Sequence, residues 1–180
     1  MTVDYNKIIL ARIVEIEICL ENECYIAALA LALTLPDVCG KAEYPSEKYV
    51  RKRYTQWFDR YVDSYKKSQS PYDADMPYLS GEVVYSLRNG FLHAGNPNIE
   101  KEKIIDEMCK IDQFSLKAGK SLIGDTSHVG YGKEFEISER GYTVNIRLLC
   151  MGLCRTAKSY YLENEDKFKF LNYDMVRVDD

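Results

Sequence analysis

Apolar residues recur at helical spacing through most of the chain, and the breaks in that rhythm divide it into a few elements. Ile9, Ile13, Ile16 and Leu20 lie three or four apart within residues 5–21, with Glu15 and Glu17 between them, so this stretch predicts a helix with one buried face. Residues 23–39 (ECYIAALALALTLPDVC) are almost wholly apolar and rich in Ala and Leu, the pattern of a helix buried on most sides. Pro36 is expected to kink that helix or end its regular part near Leu35, and Gly40 fits a C-terminal stop. Residues 46–65 open on Ser46, a good capping residue, and carry Val50, Tyr54, Trp57, Phe58, Tyr61 and Val62 as one stripe. Residues 66–78 are polar with two prolines and predict a loop.

Ser80 then suits the cap of a further helix, with Glu82 in its first turn against the positive end of the helix dipole. Val83, Val84, Leu87, Phe91 and Leu92 supply its apolar contacts, and Ala94-Gly95, followed by Pro97, ends it. Residues 99–110 suit another short helix. The stretch 111–137 holds Gly119, Gly124, Gly130 and Gly132 among short apolar pieces and predicts a β-hairpin with strands near 112–118 and 133–137. Ser138 fits the cap of the last helix, with Ile137 and Tyr142 as its hydrophobic staple. The stripe of that helix runs through Tyr142, Ile146, Leu149, Leu153, Ala157 and Tyr160. The expectation is one mostly α domain over residues 1–180, a helical bundle with a small irregular or β-hairpin excursion before the last helix.

Composition narrows the chemistry. A net charge of −4 makes the fold as a whole no electrostatic magnet for nucleic acid, so any RNA contact needs a local basic patch. Fifteen tyrosines, against one Trp and six Phe, suit half-buried helix faces and interfaces. The six cysteines form no CxxC pair and lie mostly within apolar helical patterns, as small buried hydrophobes do. The first residues carry charges throughout, and no uninterrupted apolar run reads as a bilayer span. The expectation is a reduced, cytoplasmic protein with free thiols, no membrane, no metal and no cofactor.

One segment concentrates polar chemistry: Arg88-Asn89-Gly90-Phe91-Leu92-His93. Asn89 and His93 are four residues apart and stack on one helix face. Arg88 is five before His93, which sets their Cα vectors ~140° apart, but its side chain is long enough to reach around. Histidine can pass protons near neutral pH, and arginine can neutralise charge developing on a phosphate with its fork geometry. Asparagine can orient the imidazole or a ribose hydroxyl. One such set holds one histidine, and symmetric pairing of two chains supplies one for each proton transfer. The plainer alternative has Arg88 bonding a carboxylate or helix-end carbonyls, and His93 favouring the negative helix terminus.

The string Arg88-Asn89-x3-His93 near a helix end resembles the Arg-x4–6-His motif of HEPN domains, which also tend to carry a polar residue directly after the arginine. Three blocks in order, ALALTLPDVCGKAEYP (30–45), RYTQWFDRYV (53–62) and YLSGEVVYSLRNGFLHAGNPN (78–98), resemble a group of bacterial HEPN-like hypothetical proteins. The resemblance implies a helical bundle that forms a homodimer through its motif helices. It implies a metal-independent endoribonuclease, a toxin or antiviral effector, with RNA as substrate and an antitoxin or other protein as partner. Arg88 would stabilise the phosphate, His93 would handle protons and Asn89 would position one of them. The alternative within the family is a catalytically inactive module that binds a protein partner or a nucleotide.

Other residues carry weaker signals. Glu82 and Tyr85 suit supporting partners for Arg88, with helix capping and packing as the plainer roles. Arg51, Lys52 and Arg53, flanked by Lys48 and Arg60 and near Tyr49, Tyr54 and Trp57, suit an RNA groove or simply a solvated charged face backed by core aromatics. Cys150 and Cys154 are one turn apart but lack further ligands for a metal, so core packing is favoured. His128 reads as a surface loop histidine.

Overall fold

The computed structural model describes residues 7–96, 99–121 and 123–171. Six α-helices stand among them: α1 Ile8–Glu21, α2 Tyr25–Ala32, α3 Leu35–Glu43, α4 Val50–Tyr61, α5 Gly81–Ala94 and α6 Ile146–Glu163. Three strands, β1 Gln113–Lys117, β2 Thr126–Tyr131 and β3 Ile137–Asn145, come between α5 and α6. The mostly α architecture with a small β excursion is therefore present.

The apolar run 23–39 is two helices rather than one. It breaks at Leu33-Thr34, and Pro36 sits in the first turn of α3, where a missing N–H costs nothing. Gly40 does not stop α3, which continues to Glu43. A Cβ at Gly40 would lie 2.6 Å from the Arg53 carbonyl oxygen, so this glycine lets α3 and α4 touch backbone to backbone. By length and composition Tyr25–Glu43 is apolar enough to cross a bilayer, which the reading of apolar runs passed over. Here it is split in two and half buried in the protein.

Helix α4 starts at Val50, not after Ser46, with Tyr49 in the cap position. Residues 44–47 instead form a turn, in which the Glu47 N–H donates to the Tyr44 carbonyl at 3.1 Å. Helix α5 keeps both expected ends: Ser80 Oγ accepts from the Val83 N–H at 3.4 Å, and Gly95 takes the left-handed φ of 63°. Residues 99–110 hold two 3-10 turns, Lys101–Lys103 and Glu107–Cys109, rather than a helix.

The excursion is a three-stranded sheet of order β1-β3-β2. The hairpin joins β2 to β3, antiparallel, and β1 lies parallel on the other edge of β3. Ser138, Ile137 and Tyr142 therefore belong to β3, and none of them starts the last helix. Thr143 and Val144, both β-branched, suit the extended chain. Asn145 caps α6 in place of Ser138, accepting from the Leu148 N–H at 3.3 Å. Its amide also donates to the carbonyls of Ser121 and Ile123, each at 2.9 Å, and so fixes where strand gives way to helix.

The core sits among the helices. Trp57, Tyr54 and Phe58 of α4 are buried with Leu29 and Leu33, Leu35, Leu87 of α5 and Leu149 and Leu153 of α6. Cys39, Cys109, Cys150 and Cys154 are buried free thiols within that cluster. Burial pushes the Cys154 thiol up to about 12, which suits a packing role.

Candidate functional site

The last turns of α5 carry the polar segment. Gly95 closes the helix, and His93 stands on its final turn, exposed, at the end that favours positive charge. Arg88 leaves the helix one turn earlier and reaches around it. Its Nη1 donates to Asn89 Oδ1 at 2.9 Å and lies 3.0 Å from His93 Nε2. The three side chains meet. A guanidinium can only donate, so Nε2 is the acceptor and the imidazole proton sits on Nδ1. Among the described residues Nδ1 has no partner.

The fourth member of the cluster is Asp37, which the sequence reading passed over. It lies in the first turn of α3, where Arg88 Nε donates to its Oδ2 at 3.1 Å and Nη2 approaches the same atom at 2.9 Å. Each of the two side chains is under one-fifth exposed, so the pair lies at the floor of the cluster and His93 at its rim. Burial holds the Asp37 carboxyl above the usual carboxylate range, against the opposing pull of Arg88 and, further off, Arg53 and Arg12. Its Oδ1 is buried with no hydrogen-bond donor among the described residues. Among the described residues Arg88 Nη2 meets Asp37 Oδ2 alone. An acid within an almost wholly apolar run was the available signal for Asp37.

The supporting residues divide. Tyr85 meets the Tyr54 ring edge-on at 5.2 Å, and the Tyr54 hydroxyl, which donates to the Leu33 carbonyl at 3.1 Å, feels the charges of Asp37 and Arg88. Tyr85 thus lies behind the cluster. Glu82 does not join it: its carboxylate accepts from Arg51 Nη2 at 3.0 Å and from the Ile105 N–H at 2.8 Å, tying α4 and α5 to the segment after the first 3-10 turn.

The basic residues of α4 are engaged inside the chain. Arg51 also donates to the Lys103 carbonyl, Lys52 pairs with Glu47 at 2.9 Å, and Arg53 Nη1 donates to the Glu47 carbonyl at 3.3 Å. Tyr54 and Trp57 are buried and offer no stacking face, whereas Tyr49 is exposed. This is the arrangement of a charged face backed by core aromatics. His128 is on strand β2, not in a loop, with its ring across from Gly141 and its Nε2 3.5 Å from Glu139. Among the described residues no group of three or more His, Cys, Asp or Glu is placed to hold a metal ion.

No protein-family model, no curated protein and no solved structure matches this chain. Its chemistry has to be read from Arg88, Asn89, His93 and Asp37.

Proposed function

We propose that the chain is a metal-independent endoribonuclease of HEPN type, cleaving single-stranded RNA at a site completed by a second copy of itself, as a toxin or antiviral effector. The observation that supports this reading is the contact of one arginine nitrogen with both Asn89 Oδ1 and His93 Nε2 at an exposed helix end. A backbone phosphate that takes over the Nη1 hydrogen bond frees the Nε2 lone pair. That lone pair then accepts the proton of the ribose 2′-hydroxyl as its oxygen attacks the adjacent phosphorus. Arg88 neutralises the charge growing on the phosphate oxygens, and Asp37 holds the guanidinium at its post. His93 of the second copy, entering the reaction as an imidazolium, gives a proton to the departing 5′-oxygen, so the two imidazoles end with their protonation states exchanged. The products are a 2′,3′-cyclic phosphate and a 5′-hydroxyl.

A second reading has its own support. Arg88 is committed to Asp37 and to its neighbours on α5, which suits a catalytically silent HEPN-like module that binds a protein partner or nucleotide. One experiment separates the two. The purified protein is incubated with single-stranded RNA in EDTA and the cut ends are mapped. The nuclease reading expects cyclic-phosphate ends from a dimer by sedimentation, and a loss of about 10²–10⁴-fold in His93→Ala with the dimer intact. Wild-type protein that leaves the RNA whole would retire it in favour of the silent module.

A further inference from the structure

A recess lies apart from the Arg88 cluster and shares none of its residues. It is a groove of about 650 Å³ between α1, α6, the 3-10 turn Asp63–Tyr65 and the sheet, a size typical of small-molecule sites. Tyr65 and Tyr142 give it aromatic surface, Leu148 and Met151 aliphatic surface.

The helical glycines differ in what surrounds them. A Cβ at Gly40 or Gly81 would strike neighbouring backbone at 2.6 Å, so those two serve close helix contact. Gly152, on α6 in the groove wall, is different: a Cβ there would meet only the Tyr65 ring, at an ordinary 3.8 Å. Glycine inside a helix costs about 1 kcal/mol against alanine. No close contact requires it, and it forms buried wall of the groove beside Tyr65.

The polar groups are sorted by element. Arg155 and Lys158, three residues apart on α6, both line the groove. Arg155 has only the neutral Ser64 hydroxyl, at 3.3 Å, and neither cation is paired with a carboxylate among the described residues. The acids come from elsewhere, Glu17 from α1 and Asp125 from the segment before β2. Asp125 is held on the sheet side by the Asn145 N–H at 2.7 Å and the Tyr142 hydroxyl at 3.4 Å, and Glu17 stands on the α1 side, so the two α6 cations form the positive side of a groove with separated charges.

We propose that this groove binds a planar aromatic anion, its ring system lying over Gly152 against Tyr65 and its carboxylate or phosphate held by Arg155 and Lys158. The ring replaces water on apolar surface, and the guanidinium offers a two-pronged contact to the acid. Isothermal titration of the full chain with naphthyl phosphate, naphthoate and neutral naphthol tests it, the first two arms telling a phosphate ligand from a carboxylate. The expected result is one site per chain, with at least one anion bound about tenfold tighter than naphthol. Gly152→Leu should weaken that anion about tenfold or more, and the pair Arg155→Ala with Lys158→Ala should bring it down to the level of naphthol. Wild type with no saturable site, or Gly152→Leu binding as wild type does, overturns the proposal. Should Gly152→Leu lose its helical circular dichroism, Arg155→Glu with Lys158→Glu decides: an unchanged preference for the anion overturns the proposal and its loss upholds it.

Discussion

The two ends of α3 each carry a partly buried carboxylate, and the molecule treats them in opposite ways. Glu43, at the C-terminal end, is saturated. It accepts from Tyr61 at 2.8 Å, Tyr160 at 2.7 Å and Lys167 at 2.6 Å, with Arg60 at 3.4 Å. Burial alone would raise its carboxyl, but those hydrogen bonds outweigh it and bring it down to about 2. Asp37, at the N-terminal end, has one oxygen shared by two Arg88 nitrogens and another with no donor among the described residues, and burial keeps its carboxyl raised. Glu43 joins α3 to α4, α6 and the turn after α6, as a structural clamp does. Asp37 retains an unmet hydrogen-bonding demand beside an exposed imidazole, a stability cost that fits a working site better than a clamp.

The sharpest way to break this contrast is Asp37→Asn. On the ribonuclease reading it should slow RNA cleavage by about 10²-fold, because Arg88 loses its anchor and small displacements at a reacting centre are costly. The same variant should shift the unfolding free energy by under about 1 kcal/mol in either direction, since the carboxamide oxygen still accepts from Arg88 and a buried carboxylate oxygen without a donor is removed. Equal losses of stability and activity would make Asp37 a second clamp. Glu43→Gln should do the reverse, costing about 1.5–3 kcal/mol in denaturant titration and leaving cleavage per folded molecule unchanged.

Acid separates the two groups by sign. The folded Glu43 value lies below the ordinary 4.5, so the unfolded chain binds the extra proton. Its contribution is therefore full above pH 4.5 and is lost as pH falls through about 2. Asp37 is raised above 3.8, so in its window the folded chain holds more proton and acid favours folding. Unfolding curves from pH 5 to pH 2 should flatten in Glu43→Gln and steepen in Asp37→Asn. The smallest effect is expected from Lys167→Ala, about 0.5 kcal/mol, because Lys167 is 43% exposed and its pair with Glu43 is screened.

Helix α5 was legible nearly residue by residue, because Ser80 and Gly95 act on backbone groups within one turn of themselves. The meeting of Arg88, Asn89 and His93 was legible for the same reason, all three being within six residues on one helix. The start of α6 was not. Ser138 is as good a cap as Asn145 in isolation, and the pairing of β3 with β1 and β2 is what carries the strand on to Asn145. Gly40 resembles a stop until Arg53 of α4 is seen against it. Glu82 resembles a neighbour of Arg88 until Arg51 and Ile105 claim its carboxylate.

By itself the order of residues determined the helical class, the caps of α5 and the polar triad near its end, because propensity, periodicity and capping act over a few positions. Only the tertiary structure decided that Arg88 would rest on an acid 51 residues earlier, that Glu43 would be met by groups up to 124 residues away, and that a groove would open over Gly152. Contacts at such separations depend on how the helices pack, and no local rule carries that information.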